Sequence, residues 1–225
     1  MNRLEQPNRF KEYLDQLGLR QITSCPVEEM AELLCFAKGE HICVQGQPLE
    51  YLLFLVEGKG KAYITVSSGK SLLLCFYERP QVIGDVELFA EDRAATTSLQ
   101  ALEEVICIGI RISQHSAALL GDARFLRYIG AGLGEKLKRS SHNSTINLTY
   151  PLENRLAAYI LSTMQDDNGF TEQLTQLADL LGTSYRHLLR TLDGLIEKGI
   201  LQKRGRNLLV RDQVALRSMA SDIFQ

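Results

Sequence analysis

Between Leu177 and Leu195 the sequence reads LADLLGTSYRHLLRTLDGL, with apolar residues at helical spacing on both sides of one glycine, Gly182. Two short helices that meet at a glycine, with the small residue Ala178 four positions earlier, fit a helix-turn-helix. Leu177 and Leu181 would face inward before the turn and Leu188 after it. Thr191 departs from the pattern, because an aliphatic residue usually stands there. The second helix is expected over about Ser184 to Lys198, with its N-terminal residues entering a DNA major groove. Tyr185, Arg186 and Arg190 are the candidates for base edges, arginine because it pairs bidentately with guanine, while Ser184 and His187 suit phosphate oxygens.

Downstream, ILQKRGRNLLVRD reads as two short strands around Gly205, the wing of a winged helix. Lys203, Arg204 and Arg206 stand near its tip, where they would meet the DNA backbone. The formal net charge of the whole chain is only -2, so charge exerts no global pull toward nucleic acid. The distribution does: from Thr183 to Arg217 there are eight cations against three anions. The bland alternative is a small helical subdomain with a solvated basic face.

Upstream the pattern changes twice. From Phe36 to about Ile112 short apolar runs are broken by glycines, as in EYLLFLVEGKGKAYITV and SSGKSLLLCFY, which predicts strands in an all-β barrel or sandwich. Ser67, Ser68 and Gly69 look like a hairpin tip. Residues 113–147 instead predict one long helix ending near Asn147, with Leu119, Leu126, Ile129, Leu133 and Leu137 on an apolar stripe. Gly130, Gly132 and Gly134 sit inside it, each at a cost of about 1 kcal/mol relative to alanine, which close approach of another helix would explain. The same glycines do not make a dinucleotide loop, since that motif needs a strand before it and a helix opening on its last glycine. Thr149, Pro151 and Glu153 in TYPLE announce a new helix, NRLAAYILSTMQ, followed by a break at DDNGF. The expected division is therefore residues 1–112, N-terminal helices and strands; 113–148, a long helix; and 149–225, a winged helix-turn-helix; the family resemblance given below implies a β-roll for the first and dimerisation for the second. The fold class is α+β.

Several functions are disfavoured by what the sequence contains. No unbroken apolar run reaches the roughly 18 residues of a membrane span, and the first residues have no signal-peptide core, so a cytoplasmic protein is expected. Five cysteines (Cys25, Cys35, Cys43, Cys75, Cys107) form no C-x-x-C pair, and read as buried, inert thiols rather than as a disulfide framework or an iron–sulfur site. A metal-binding β-roll enzyme needs clustered histidines, but only His41 lies within the strand region and His115 at its edge. Neither His41 nor Cys43 alone defines a haem or metal site. No Ser/His/Asp or Cys/His arrangement stands out, so an enzyme is not expected.

Taken in order, the strands, long helix and winged helix resemble the CRP/FNR family of bacterial transcription regulators over nearly the whole chain. Gly39, Gly46, Gly58, Gly69 and Gly84 look like the family's β-roll skeleton, and NRLAAYIL with LGTSYRHLLRTL is most similar to its YeiL-like branch. The resemblance implies a jelly-roll type sensor, a homodimer, a two-fold DNA site and contact with RNA polymerase. IGDVELFAEDRAATT resembles the cassette of cyclic-nucleotide-binding domains, which implies Asp85 on the ribose hydroxyl, Arg93 on the cyclic phosphate, and Gly84 and Ala94 as backbone contacts. The family uses glutamate where Asp85 stands, one methylene longer. Ser140 and Ser141 fall where members responsive to cAMP place a hydroxyl pair against the purine. Arg93 has a second expectation, an ion pair with Asp85, Glu87, Glu91 or Asp92 nearby. The effector is thus a cyclic nucleotide, a redox signal or none; the closely spaced cysteines of iron–sulfur members are lacking.

Overall fold

A computed structural model describes residues 1–164, 169–170, 173–205 and 207–221, without the side chains of residues 143, 144 and 146–148. The chain divides into two compact units, one of Met1–Ile64 with Phe76–Arg139 and one of Thr65–Cys75 with Ser140–Gln225. Among the described residues no helix is long and apolar enough to cross a membrane.

The first unit opens with a short edge strand, β1 (Asn2–Arg3), and the helices α1 (Pro7–Leu17), α2 (Leu19–Ile22) and α3 (Val27–Met30). Along the chain strands β2 (Ala31–Phe36), β3 (His41–Cys43), β4 (Tyr51–Glu57) and β5 (Lys59–Thr65) follow, then β6 (Ser71–Glu78), whose residues 71–75 are counted in the second unit, β7 (Gln81–Ile83), β8 (Ser98–Ala101) and β9 (Val105–Arg111). They form two sheets, ordered β1-β2-β9-β4-β7 and β3-β8-β5-β6. The strand region thus begins at Ala31 rather than Phe36, because all six residues of β2 pair antiparallel with β9. The expected hairpin tip forms, with Gly69 at φ 82° and the Val66 N–H bonded to the Lys70 carbonyl at 2.9 Å.

Both faces of the larger sheet are covered, which is why β4 reads as an unbroken apolar run rather than an alternation. Leu52, Phe54 and Val56 join Ile106, Ile108 and Ile110 in one cluster with Tyr13, Leu14 and Leu19 of the N-terminal helices. Leu53 and Leu55, one residue out of phase, point to the opposite face. Each such side chain contributes about 1.5–3 kcal/mol on burial. At the end of β4, Gly58 takes φ 86°, and a Cβ there would stand 2.2 Å from the Glu104 carbonyl, so no other residue fits this turn.

The single helix expected over 113–147 is two: α4 (Ile112–Leu120) and α5 (Ala123–Thr149). Asp122 makes the break. Its carboxylate accepts the N–H groups of Arg124 (2.9 Å) and Phe125 (3.4 Å), as an N-cap does, and also the hydroxyls of Thr23 (2.6 Å) and Ser24 (2.9 Å). These donors hold its pKa far below the ordinary carboxylate value, the Thr23 hydroxyl first and the Ser24 N–H next. A depressed pKa stabilises the fold above the ordinary carboxylate range and ceases to do so as pH falls toward the native value. Asp122→Asn should therefore flatten the loss of stability on acidification from about pH 5 to 3. Urea midpoints at stepped pH read this, and an unchanged slope would contradict it.

Along the stripe, Phe125 and Ile129 are buried and Leu126 and Leu133 half-buried, whereas Leu137 is 70% exposed. A Cβ built at Gly130, Gly132 or Gly134 meets nothing within 4 Å among the described residues. The close approach expected at these glycines is therefore not made among the described residues.

The second unit contains α6 (Leu152–Thr163), β10 (Gly169–Phe170), α7 (Leu174–Leu180), α8 (Tyr185–Glu197), β11 (Leu201–Arg204), β12 (Asn207–Val210) and α9 (Gln213–Met219). Gly169 and Phe170, expected within a break, are the outer strand of a sheet ordered β10-β12-β11. Phe170 is buried and meets Tyr159 of α6 edge-on at 6.1 Å. Long-range pairing with β12 makes this strand, which two residues cannot announce by periodicity.

Candidate functional site

Helices α7 and α8 join through Leu181, Gly182 and Thr183, with Gly182 left-handed at φ 61°, where a side chain would be strained. Leu177, Ala178, Leu181, Leu188, Leu192 and Leu195 are buried, which leaves the opposite face of α8 to solvent. Thr191, half-buried where an aliphatic residue was expected, bonds its hydroxyl to the His187 carbonyl at 3.0 Å. Ser184 caps α8 by accepting the His187 N–H at 3.2 Å, so its hydroxyl hydrogen remains free for an acceptor. His187 Nδ1 lies 3.3 Å from the Thr183 hydroxyl.

Tyr185, Arg186, His187 and Arg190 all stand exposed on this face, with Tyr185 at 48%. Beside them a concavity of about 620 Å³ is lined by Pro151, Leu152 and Glu153 of the α6 start and by Ser184, His187, Arg190, Thr191 and Gly194. Glu153 forms an ion pair with Lys198 at 3.0 Å. Arg155, which the sequence did not single out, donates from α6 to the Leu181 carbonyl at 2.7 Å and so fixes the turn. Burial lowers its pKa. In the wing, Lys203 and Arg204 are exposed at the end of β11 and Gly205 turns at φ 64°. Arg206 lies outside the described residues.

The cassette residues of the first unit are held by partners the sequence did not show. Gly84 is at φ 91° and its carbonyl accepts the Leu88 N–H at 2.9 Å. Asp85 is 2% exposed, and Lys136 of α5 reaches its Oδ1 at 2.6 Å. Arg93 sits at φ 51°, a left-handed conformation that is rare for a side-chain-bearing residue and gathers at binding sites. Its guanidinium donates to the Ser116 hydroxyl at 3.1 Å, not to the neighbouring carboxylates suggested as an alternative. Glu87, also buried, is satisfied by the N–H and hydroxyl of Thr96, both at 2.8 Å. The Ala94 N–H is taken by Asp92 at 3.2 Å. Ser140 and Ser141 are exposed on α5, and the Ser141 carbonyl accepts the Thr145 hydroxyl. A cyclic nucleotide fits this cassette in part: Arg93 offers a cation, but the carboxylate its ribose needs already has an ammonium on it.

The cysteines are free, yet only Cys107 is fully buried, so the expectation of uniformly buried thiols is corrected. Burial pushes the Cys107 thiol well up, and Cys43, donating to the Thr97 carbonyl, is pushed up to about 11. Both are therefore thiols, not thiolates, at neutral pH. His41 Nε2 pairs with the Tyr63 hydroxyl at 2.8 Å. Among the described residues no group of three or more His, Cys, Asp or Glu could hold a metal ion.

The cyclic nucleotide-binding domain family matches residues 33–120, and the Crp-like helix-turn-helix domain family matches residues 154–219. The regulatory protein YeiL of Escherichia coli O157:H7 is 34% identical over 191 residues, covering 85% of this chain and 86% of that protein. A CRP-like cAMP-activated global transcriptional regulator of Mycobacterium tuberculosis is 21% identical over 80% of this chain and 84% of its own. Among solved structures, a CRP-family transcriptional regulator from Thermus thermophilus has a TM-score of 0.66 at 20% identity, covering 85% of this chain and 98% of its own.

Proposed function

Because the chain belongs to the CRP/FNR family of transcription regulators, we propose that it works as a homodimer which reads a two-fold DNA site with α8 and is set by its β-roll. The observation that carries this is the exposed row Tyr185, Arg186, His187 and Arg190 on a helix whose other face is buried behind a glycine turn. Arg186 and Arg190 read base edges with Tyr185 beside them, Ser184 and His187 hold phosphates, and Lys203, Arg204 and Arg206 follow the backbone with the wing. Residues 1–112 form the sensor, 113–148 the dimerisation segment and 149–225 the DNA-binding domain. Double-stranded DNA, a second copy of the chain and RNA polymerase are its partners, and the cytoplasm is its place. The β-roll has no catalytic role in this scheme.

The dimer face follows from α5. Gly130, Gly134 and the exposed Leu137 lie on one open side of the helix, where a second α5 can approach closely. Leu137→Glu should shift the protein from dimer to monomer in sedimentation velocity at micromolar concentration. An unchanged dimer would place the interface elsewhere.

The effector we assign to the cassette is a cyclic nucleotide held by Gly84, Asp85, Arg93 and Ala94, with Ser140 and Ser141 against the base. The mycobacterial relative is named as cAMP-activated, which makes cAMP the first nucleotide to try. At 100 times its dissociation constant, cAMP or cGMP should stabilise the fold by about 2.7 kcal/mol in thermal unfolding, and Arg93→Ala should abolish the shift. A shift that survives in Arg93→Ala would move the phosphate elsewhere. The Lys136–Asp85 pair favours one second reading: a regulator without an effector, whose roll only supports the dimer. No shift with either nucleotide would support it.

A further inference from the structure

Lys136 makes contacts that a solvated lysine on a helix surface has no reason to make. Its ammonium lies 2.6 Å from Asp85 Oδ1 and 2.6 Å from the Val82 carbonyl, and 5.4 Å from the centre of the Tyr77 ring. The side chains of Lys136 and Asp85 are 17% and 3% exposed. Charges so enclosed are screened little, and removing one partner strands the other. One turn further along α5, Arg139 stands 5.7 Å over the same ring and donates to Gln81 Oε1 at 3.1 Å. One stretch of the helix is thus fastened to the end of β6, to β7 and to the cassette.

Asp85 Oδ1 already accepts Lys136 and, at 3.2 Å, the Val86 N–H. A ribose hydroxyl that donates to Oδ1 competes with the ammonium, whose charge-assisted bond is the stronger. The next residue, Leu137, faces outward on α5 at 70% exposure, so Lys136 stands in the helix segment that carries the open face.

We infer that Lys136 is an internal latch: it occupies the cassette acid in place of a nucleotide's ribose, and its displacement frees the middle of α5. This rests on the cassette reading above and adds to it the residue that gates the site and the contact that couples it to the helix. Such a pair is a two-state element that a ligand can bias.

The test uses the full-length protein as wild type, Lys136→Met, Asp85→Asn and the double variant, which leaves no buried charge unpaired and so guards against misfolding of the singles. Hydrogen exchange without ligand should show amides of residues 133–139 opening about tenfold faster than wild type in each single variant, and by the same factor, not its square, in the double. In calorimetric titration, Lys136→Met should bind cAMP or cGMP about tenfold or more tightly than wild type, a coupling of ordinary allosteric size. Additive exchange effects, or equal nucleotide affinity in wild type and Lys136→Met, would overturn the latch. The predicted exchange pattern with no nucleotide bound by any variant would support the latch as a fastening of α5 and overturn the nucleotide reading of the cassette.

Discussion

Replacing Leu188 with alanine is expected to cost about 2–5 kcal/mol, the range for a leucine truncated in a packed core. Leu188 is fully buried on α8, and Leu177, Leu181, Leu192 and Leu195 beside it are nearly so. These leucines hold α8 with its cations outward, and the unit that contains them is small. For a domain of 60–100 residues 1 kcal/mol moves the melting temperature by about 4–8 °C, so the transition of this unit should fall by about 10 °C or more. Leu188→Met keeps the volume and should cost less than about 1.5 kcal/mol. Circular dichroism melts of the two variants decide the point. Equal melting temperatures would mean that the turn is held by Arg155 and the sheet rather than by the leucines.

Arg186→Ala and Arg190→Ala carry the second large effect, on DNA rather than on folding. Each removes an exposed guanidinium from the face of α8, so stability should hold while specific binding weakens by about 1–3 kcal/mol. Binding to random duplex should change far less. Lys203→Ala and Arg204→Ala should act the other way round, weakening specific and random DNA alike and lowering the salt slope by about 1 each. Fluorescence anisotropy over a salt series separates the two patterns. Equal losses on both kinds of DNA from all four variants would remove Arg186 and Arg190 from base reading.

How far the sequence reaches depends on the range of the interaction. The α7–α8 pair was legible because its core residues and glycine turn lie within twenty residues, and the wing because Gly205 separates two short segments, one opening on Ile200 and Leu201 and the other carrying Leu208, Leu209 and Val210. The β-roll glycines were legible for the same local reason: Gly39, Gly46, Gly58, Gly69 and Gly84 all take positive φ. The break between α4 and α5 was missed although a local signal existed, an aspartate after a glycine, because the apolar stripe runs across it. Strand β10 exists only through its pairing with β12, some 40 residues on. Lys136 and Asp85 are 51 residues apart, and nothing in either segment announces their bond. Arg93 shows the limit from the other side: its position was picked out, but its partner Ser116 and its left-handed backbone were not readable from neighbouring carboxylates.

The most direct measurement is selection of duplexes from a random pool by the purified full-length protein, followed by sequencing of what is bound. A homodimer reading DNA with two copies of α8 should enrich an inverted repeat whose half-sites are centred about 10–10.5 base pairs apart, one turn of about 34–36 Å, and Arg186→Ala should blur the enriched half-site. Enrichment of a single unrepeated site, or of no site at all, would contradict a dimeric reader of two-fold DNA.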